Sequence, residues 1–285
     1  VRQSVSRRSF LVASAGLVAA AACGGGGKDD VNVDPSDTSD TSAGPNDMSL
    51  VVASYVHVAG IDERVTVTTI RRTGYAKTNG PAEISIDGKP VQATLHSDGI
   101  ALPYYLIRHR FETAGIHDIT AKVDGKTLTT PIEVGEAAAA KLPIPGRPLI
   151  RVATPTVADA KGVNPICTRQ PACPLHDVSL DAALDEKRPI AVLFSTPALC
   201  QSQLCGPVLE ELLSMRDEFG AKVRMVHAEI FTDLSGKTLT PAVKAFSLDS
   251  EPFLFLAGAD GIVRDRLDNA YDKVELRAAL TRLVA

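Results

Sequence analysis

The 285-residue chain has no tryptophan and only eight phenylalanines and five tyrosines. That scarcity argues against an aromatic platform for stacking bases or sugars. No charge of one sign dominates either. Thirty Lys and Arg face 34 Asp and Glu, a net charge of −4, so no basic surface for nucleic acid is implied. The first apolar run, residues 11–22, is 12 long and too short for a permanent membrane-spanning helix. Cysteine is sparse as well. Of five, four fall as two close pairs, Cys167/Cys173 and Cys200/Cys205, and Cys23 stands alone. With 45% apolar residues the chain is long enough for one large domain or two of ordinary size.

The start of the chain reads as a targeting segment. Ser6-Arg7-Arg8-Ser9-Phe10-Leu11 resembles a twin-arginine signal, which implies export of an already folded protein. Ala21-Ala22-Cys23 resembles a lipobox, with Ala20 where leucine is usual, and this implies diacylation of Cys23. Residues 1–23 are therefore expected to direct export to the extracytoplasmic side of a bacterial membrane, with Cys23 as the lipid anchor. Lipidation also leaves an even number of thiols. Residues 24–47 are Gly, Ser, Thr, Asp and Pro with almost nothing to bury, and read as a disordered tether. A coil of that length reaches roughly 25–30 Å.

Residues 48–135 read as β throughout. Runs rich in Val, Ile, Thr and Tyr at 50–59, 64–71, 83–86, 90–96, 104–112, 117–123 and 126–134 are parted by Asp87-Gly88, Asp98-Gly99, Ala114-Gly115 and Asp124-Gly125. This density of short strands predicts an immunoglobulin-like sandwich without the Cys…Trp…Cys core of antibody domains. Around 116–123 the apolar residues only partly alternate. Residues 136–147 (EAAAAKLPIPGR) read as a linker.

Residues 148–285 alternate in period. A buried strand at 190–194, a helix at 207–219 stopped by Gly220, a strand at 223–230, a short helix at 241–246, a hairpin at 253–257 and 262–267, and a helix at 273–284 are expected. Val208, Leu212, Met215 and Phe219 share one helical stripe, and Val274, Leu276, Leu280 and Leu283 give the last helix its apolar positions.

The thiols of Cys200 and Cys205 stand between the first of these strands and its helix. Unpaired backbone N–H groups and the positive end of the macrodipole lower a thiol pKa there, which makes the pair a candidate redox centre. Strand order and thiol position resemble the thioredoxin fold over about 176–285. Cys205-Gly206-Pro207 matches the first three residues of Cys-Gly-Pro-Cys, while Val208 stands in place of the second cysteine and the partner thiol lies upstream at Cys200. Glu251-Pro252-Phe253-Leu254-Phe255-Leu256 resembles the segment in which that family carries a cis-proline beside its thiols, so Pro252 is expected to be cis. The family's buried acid has no counterpart in 190–194 (IAVLF), and the Trp before the first thiol is missing.

The fold class expected is thus two domains, an all-β immunoglobulin-like sandwich and then an α/β thioredoxin-like domain. The function expected is thiol–disulfide exchange with exported protein thiols or disulfides, with no cofactor, no metal and no nucleic acid. Thr196-Pro197 before Cys200 also resembles bacterioferritin-comigratory peroxiredoxins, which implies a thiol peroxidase as the alternative; a non-enzymatic surface lipoprotein is the third. Cys167 and Cys173, in a Pro-containing loop, are expected to form a structural disulfide. Thiolate-bound zinc, or copper held by Cys200, Cys205 and a histidine such as His176 or His227, is the competing use of the cysteines.

Overall fold

A computed structural model describes residues 48–71, 74–75 and 80–285. The signal with Arg7 and Arg8, the anchor Cys23 and the 24–47 tether lie outside the described residues. Nine strands come first: β1 (Met48–Val52), β2 (Asp62–Arg71), β3 (Gly74–Tyr75), β4 (Glu83–Ile86), β5 (Lys89–Val91), β6 (Ala93–His96), β7 (Tyr104–Arg110), β8 (Gly115–Val123) and β9 (Lys126–Val134). They make two antiparallel sheets, β1-β2-β7-β6 with β3 on β2, and β5-β4-β8-β9. Asp87-Gly88 and Asp124-Gly125 close the β4/β5 and β8/β9 hairpins with both residues at positive φ (49° and 74° in each), the geometry such pairs favour.

The sheets face each other through Leu50, Val65, Val67, Ile84, Ile86, Tyr105, Ile107, Ile119, Ala121, Val123, Ile132 and Val134. This is the immunoglobulin-like sandwich. It resolves the register of β8. Ile119, Ala121 and Val123 point inward, and Ile116 falls on the open face, 68% exposed. The run expected at 90–96 is two strands, not one. It breaks at Gln92, and β5 and β6 then belong to opposite sheets.

The second half carries β10 (Ile190–Phe194), β11 (Arg224–Ala228), β12 (Phe253–Ala257) and β13 (Val263–Asp268), with helices α1 (Leu180–Asp185), α2 (Cys205–Ser214), α3 (Arg216–Phe219), α4 (Pro241–Ala245) and α5 (Lys273–Val284). The strands form one mixed sheet ordered β11-β10-β12-β13, in which only β10/β11 is parallel. Every β10 side chain is buried. Ala191 and Leu193 pack with Val208, Leu212, Met215 and Leu280 on one face; Ile190, Val192 and Phe194 pack with Leu180, Val243 and Phe246 on the other. The expected helix 207–219 instead begins at Cys205 and is interrupted at Met215, although its stripe residues are all buried.

The expected fold class is corrected. An immunoglobulin-like sandwich is present, but residues from Met48 to Ala285 form one compact unit instead of two domains. Among the described residues strand outweighs helix, 35% to 17%, because three of the five helices of the second half are only four to six residues long; the α/β thioredoxin-like domain expected there is withdrawn.

The outer face of β2 explains the single unit. Arg64, buried on that face, donates from Nε and Nη2 to both Glu275 carboxylate oxygens (2.6 and 2.9 Å) and from Nη1 to the Asp268 carbonyl (3.0 Å). Tyr104 Oη donates to Glu275 as well (2.5 Å), and Arg108 grips Asp265 with two bonds of 2.9 and 2.8 Å. Truncating Arg64 alone leaves buried Glu275 with only the Tyr104 hydroxyl and a distant Arg108 (3.9 Å), a loss of about 3 kcal/mol readable by denaturant unfolding. Glu275 takes the inward place that Val274 was expected to fill, and Val274 is 67% exposed. Among the described residues no helix is long and apolar enough to cross a membrane.

Candidate functional site

Chain direction at the end of β10 decides where the thiols go. Ser195 and Thr196 continue the strand as buried residues, and Thr196 is held at both ends. Its N–H donates to Glu251 Oε2 (2.7 Å), and its hydroxyl accepts from the Ile230 N–H (2.9 Å). A turn follows in which Gln203 takes a positive φ of 60° and its N–H donates to the Cys200 carbonyl (3.3 Å). Cys205 then opens α2 with Leu204 as an N-cap that offers no side-chain bond. The Cys205 N–H of the first turn donates to Cys200 Sγ (3.3 Å), so the positive helix end faces that sulfur.

Cys200 and Cys205 are joined by a disulfide with Cα atoms 6.0 Å apart. The two ends differ. Cys205 is fully buried, whereas Cys200 is partly exposed and its Sγ lies 3.2 Å from Ser202 Oγ. Glu251 Oε2 sits 3.3 Å from Cys205 Sγ. Burial pushes the Glu251 carboxyl up to about 8, against the Thr196 N–H bond that favours its ionised form, and the neighbouring charge of Glu229 adds to the rise. The Tyr55 hydroxyl donates to the Glu251 carbonyl (2.8 Å), so the sandwich helps to fix this acid. The Glu251–Pro252 peptide is cis, Pro252 is buried, and its carbonyl accepts from the Asn269 N–H (3.0 Å).

Glu251 was missed as a site residue because the acid was sought inside β10. Its signal was a lone carboxylate directly before the wholly buried strand 253–257, where a charged side chain has few places to go.

The expected Cys167–Cys173 bridge is corrected. Both cysteines are free and buried, and their sulfurs turn toward His176 and His227 instead of bonding to each other. Hydrogen bonding from Cys173, then from the two imidazoles, outweighs burial and holds the Cys167 thiol far below its ordinary value. Its bond to Cys167 and burial push Cys173 far above. His227 comes from the middle of a buried strand and His176 from the loop before α1, so nothing in their local sequence linked them. The loop also touches the turn that carries Cys200. Thr168 N–H and Oγ1 donate to Glu229 (2.6 and 3.0 Å), and Thr168 Oγ1 accepts from the Ala198 N–H (3.2 Å).

Three arginines of this half are engaged with other groups. Arg224 pairs with Glu186 and Asp177, Arg264 with Asp260, and Arg266 donates to the Val56 carbonyl.

No family model and no curated protein matches the chain. Among solved structures it is similar to the Lin-41 filamin domain, at 14% identity over 30% of this chain and 90% of that one, with a TM-score of 0.23. It is similar also to the ZirS C-terminal domain (11% identity, 47% and 93% coverage, TM-score 0.22) and to the PKD domain of the human receptor SorCS2 (17% identity, 43% and 98% coverage, TM-score 0.20). Likeness at these scores carries no argument about activity.

Proposed function

We propose that Cys200 and Cys205 are the redox-active pair of a thiol–disulfide oxidoreductase, exported and held at the membrane through Cys23, that acts on exported protein thiols and disulfides. One observation carries this reading: a largely buried carboxyl, pushed up by burial, lies 3.3 Å from the buried sulfur of a disulfide whose other cysteine is partly exposed. A protonated carboxyl beside the buried sulfur is placed to act as the general acid for a departing thiolate.

In the oxidised protein an incoming partner thiolate attacks Cys200 Sγ, the accessible end. The Cys200–Cys205 bond breaks, a Cys200–partner disulfide forms, and Cys205 leaves as a thiolate that takes the Glu251 proton. A second partner thiolate then attacks the partner sulfur of the mixed disulfide and releases Cys200. The partner's dithiol is oxidised and the pair is reduced by the same two electrons. In the opposite direction Cys205 gives its proton to the Glu251 carboxylate and resolves the mixed disulfide at Cys200. The Cys205 N–H, which donates to Cys200 Sγ, stabilises the Cys200 thiolate whenever it is released.

Cys205→Ser is expected to trap partners covalently through Cys200. If neither Cys205→Ser nor Cys200→Ser traps any partner, and dithiothreitol leaves the disulfide intact in the folded protein, the reading fails in favour of an inert bridge. No observation at the site favours the peroxidase alternative.

A further inference from the structure

We propose that Cys167, Cys173, His176 and His227 form a buried tetrahedral site for a zinc(II) ion, separate from the redox pair. His227 Nδ1 is the centre of the arrangement. It lies 3.4 Å from Cys173 Sγ, 3.9 Å from Cys167 Sγ and 3.1 Å from His176 Nε2, and the four donor atoms all fall within 4.8 Å of one another. Zinc bonds of about 2.3 Å to sulfur and 2.0 Å to nitrogen give a tetrahedron with edges of roughly 3.3–3.8 Å. The observed separations bracket that range, so little rearrangement is needed to close the donors on a cation.

The tautomer suits the role. His227 Nε2 lies 3.1 Å from the Ser195 carbonyl, which can only accept, and 3.0 Å from Ser195 Oγ, so a proton on Nε2 has a partner there and Nδ1 is then left to present its lone pair to the cluster. A ligating histidine whose second nitrogen donates to a backbone carbonyl is the usual outer support of a zinc site. Backbone bonds set the loop as well. The His227 N–H donates to the Leu175 carbonyl (3.0 Å), and the Val157 N–H donates to the His176 carbonyl (2.9 Å).

Chemistry selects the ion. Two thiolates and two imidazoles in a tetrahedral set suit zinc, and hard oxygen-seeking cations do not compete. The set also balances charge. Zinc(II) is bound by both cysteines as thiolates, and two thiolates neutralise the cation inside a site whose four residues are all at most 4% exposed. No fifth position opens to solvent, which assigns the ion a structural role. It would brace the loop whose Thr168 supports Ala198 in the redox turn.

The test uses the full chain, reduced and stripped with chelator, then titrated with Co(II) followed by Zn(II). One Co(II) per chain is expected, with the visible bands of a tetrahedral thiolate site, displaced by one Zn(II). Cys200→Ser should leave this spectrum unchanged. His176→Gln, which keeps size and polarity, should weaken Co(II) binding by about tenfold or more. If a ligand variant fails to fold, the wild-type spectrum and its persistence in Cys200→Ser still decide. The proposal is overturned by the lack of a tetrahedral cobalt spectrum, by loss of that spectrum in Cys200→Ser with retention in His176→Gln, or by binding of Cu(I) without Zn(II) or Co(II). A Cys167–Cys173 disulfide in protein purified without reductant overturns it too.

Discussion

Two cysteine pairs of nearly equal spacing lie close together in this chain, and their surroundings send them to different chemistry. Cys200 and Cys205 are bonded, one partly exposed and the other buried with its sulfur against a carboxyl raised to about 8. Cys167 and Cys173 are free, sealed and faced by two imidazoles. A nearby acid offers a thiol somewhere to put its proton; imidazole lone pairs offer it a shared cation. What is proposed for each pair therefore follows from groups far away in sequence, Glu251 and His227, and not from the number of residues between the sulfurs.

The largest effects separate the pairs outright. Cys205→Ser should abolish turnover of a disulfide substrate and accumulate a mixed disulfide at Cys200, while Cys173→Ser should accumulate none; non-reducing gels read both. In the reverse comparison, chelation should lower the midpoint of thermal unfolding by about 5–10 °C in wild type and in Cys200→Ser alike, and by much less in Cys173→Ser. Equal chelator sensitivity in Cys173→Ser would remove the difference between the pairs.

Glu251→Gln acts on one pair only. The exchange rate should fall by roughly tenfold to a hundredfold and lose its inflection near pH 8, measured by stopped-flow against a model disulfide. Stability should move the other way. Below pH 4.5 both folded and unfolded states hold the proton; between 4.5 and about 8 the unfolded chain has released it and the fold has not, so wild-type stability falls as pH rises through that window. The Gln variant should lack this slope and be more stable at pH 8 by on the order of 2–4 kcal/mol, read from urea midpoints. Tyr55→Phe is the mildest change. It removes a hydrogen bond to the Glu251 carbonyl at a cost of about 1 kcal/mol and should shift the pH profile slightly, leaving zinc affinity unchanged.

Local signals carried much of the fold. Asp-Gly turns marked the hairpins, the run 190–194 announced a buried strand, and the strand 126–134 and helix 273–284 fall where their patterns put them. The break at Gln92 was hidden because a strand that changes sheets keeps its composition. Val274 and Glu275 exchanged roles because an inward carboxylate is stable only when Arg64 is there to meet it, across 211 positions of sequence. The same contact merges the two halves into one unit, and no local pattern encodes it. At the sites, Cys200 and Cys205 were legible from the strand, turn and helix around them. The fate of Cys167 and Cys173 was not, since it depends on a histidine inside β11.

The most direct test is a redox titration of the full protein in glutathione and dithiothreitol buffers, with all four thiols mapped by alkylation and mass spectrometry. The account predicts one two-electron transition, located at Cys200/Cys205, with Cys167 and Cys173 never found bonded to each other. A transition located at Cys167/Cys173, or a Cys200–Cys205 bond that survives excess dithiothreitol, would contradict it.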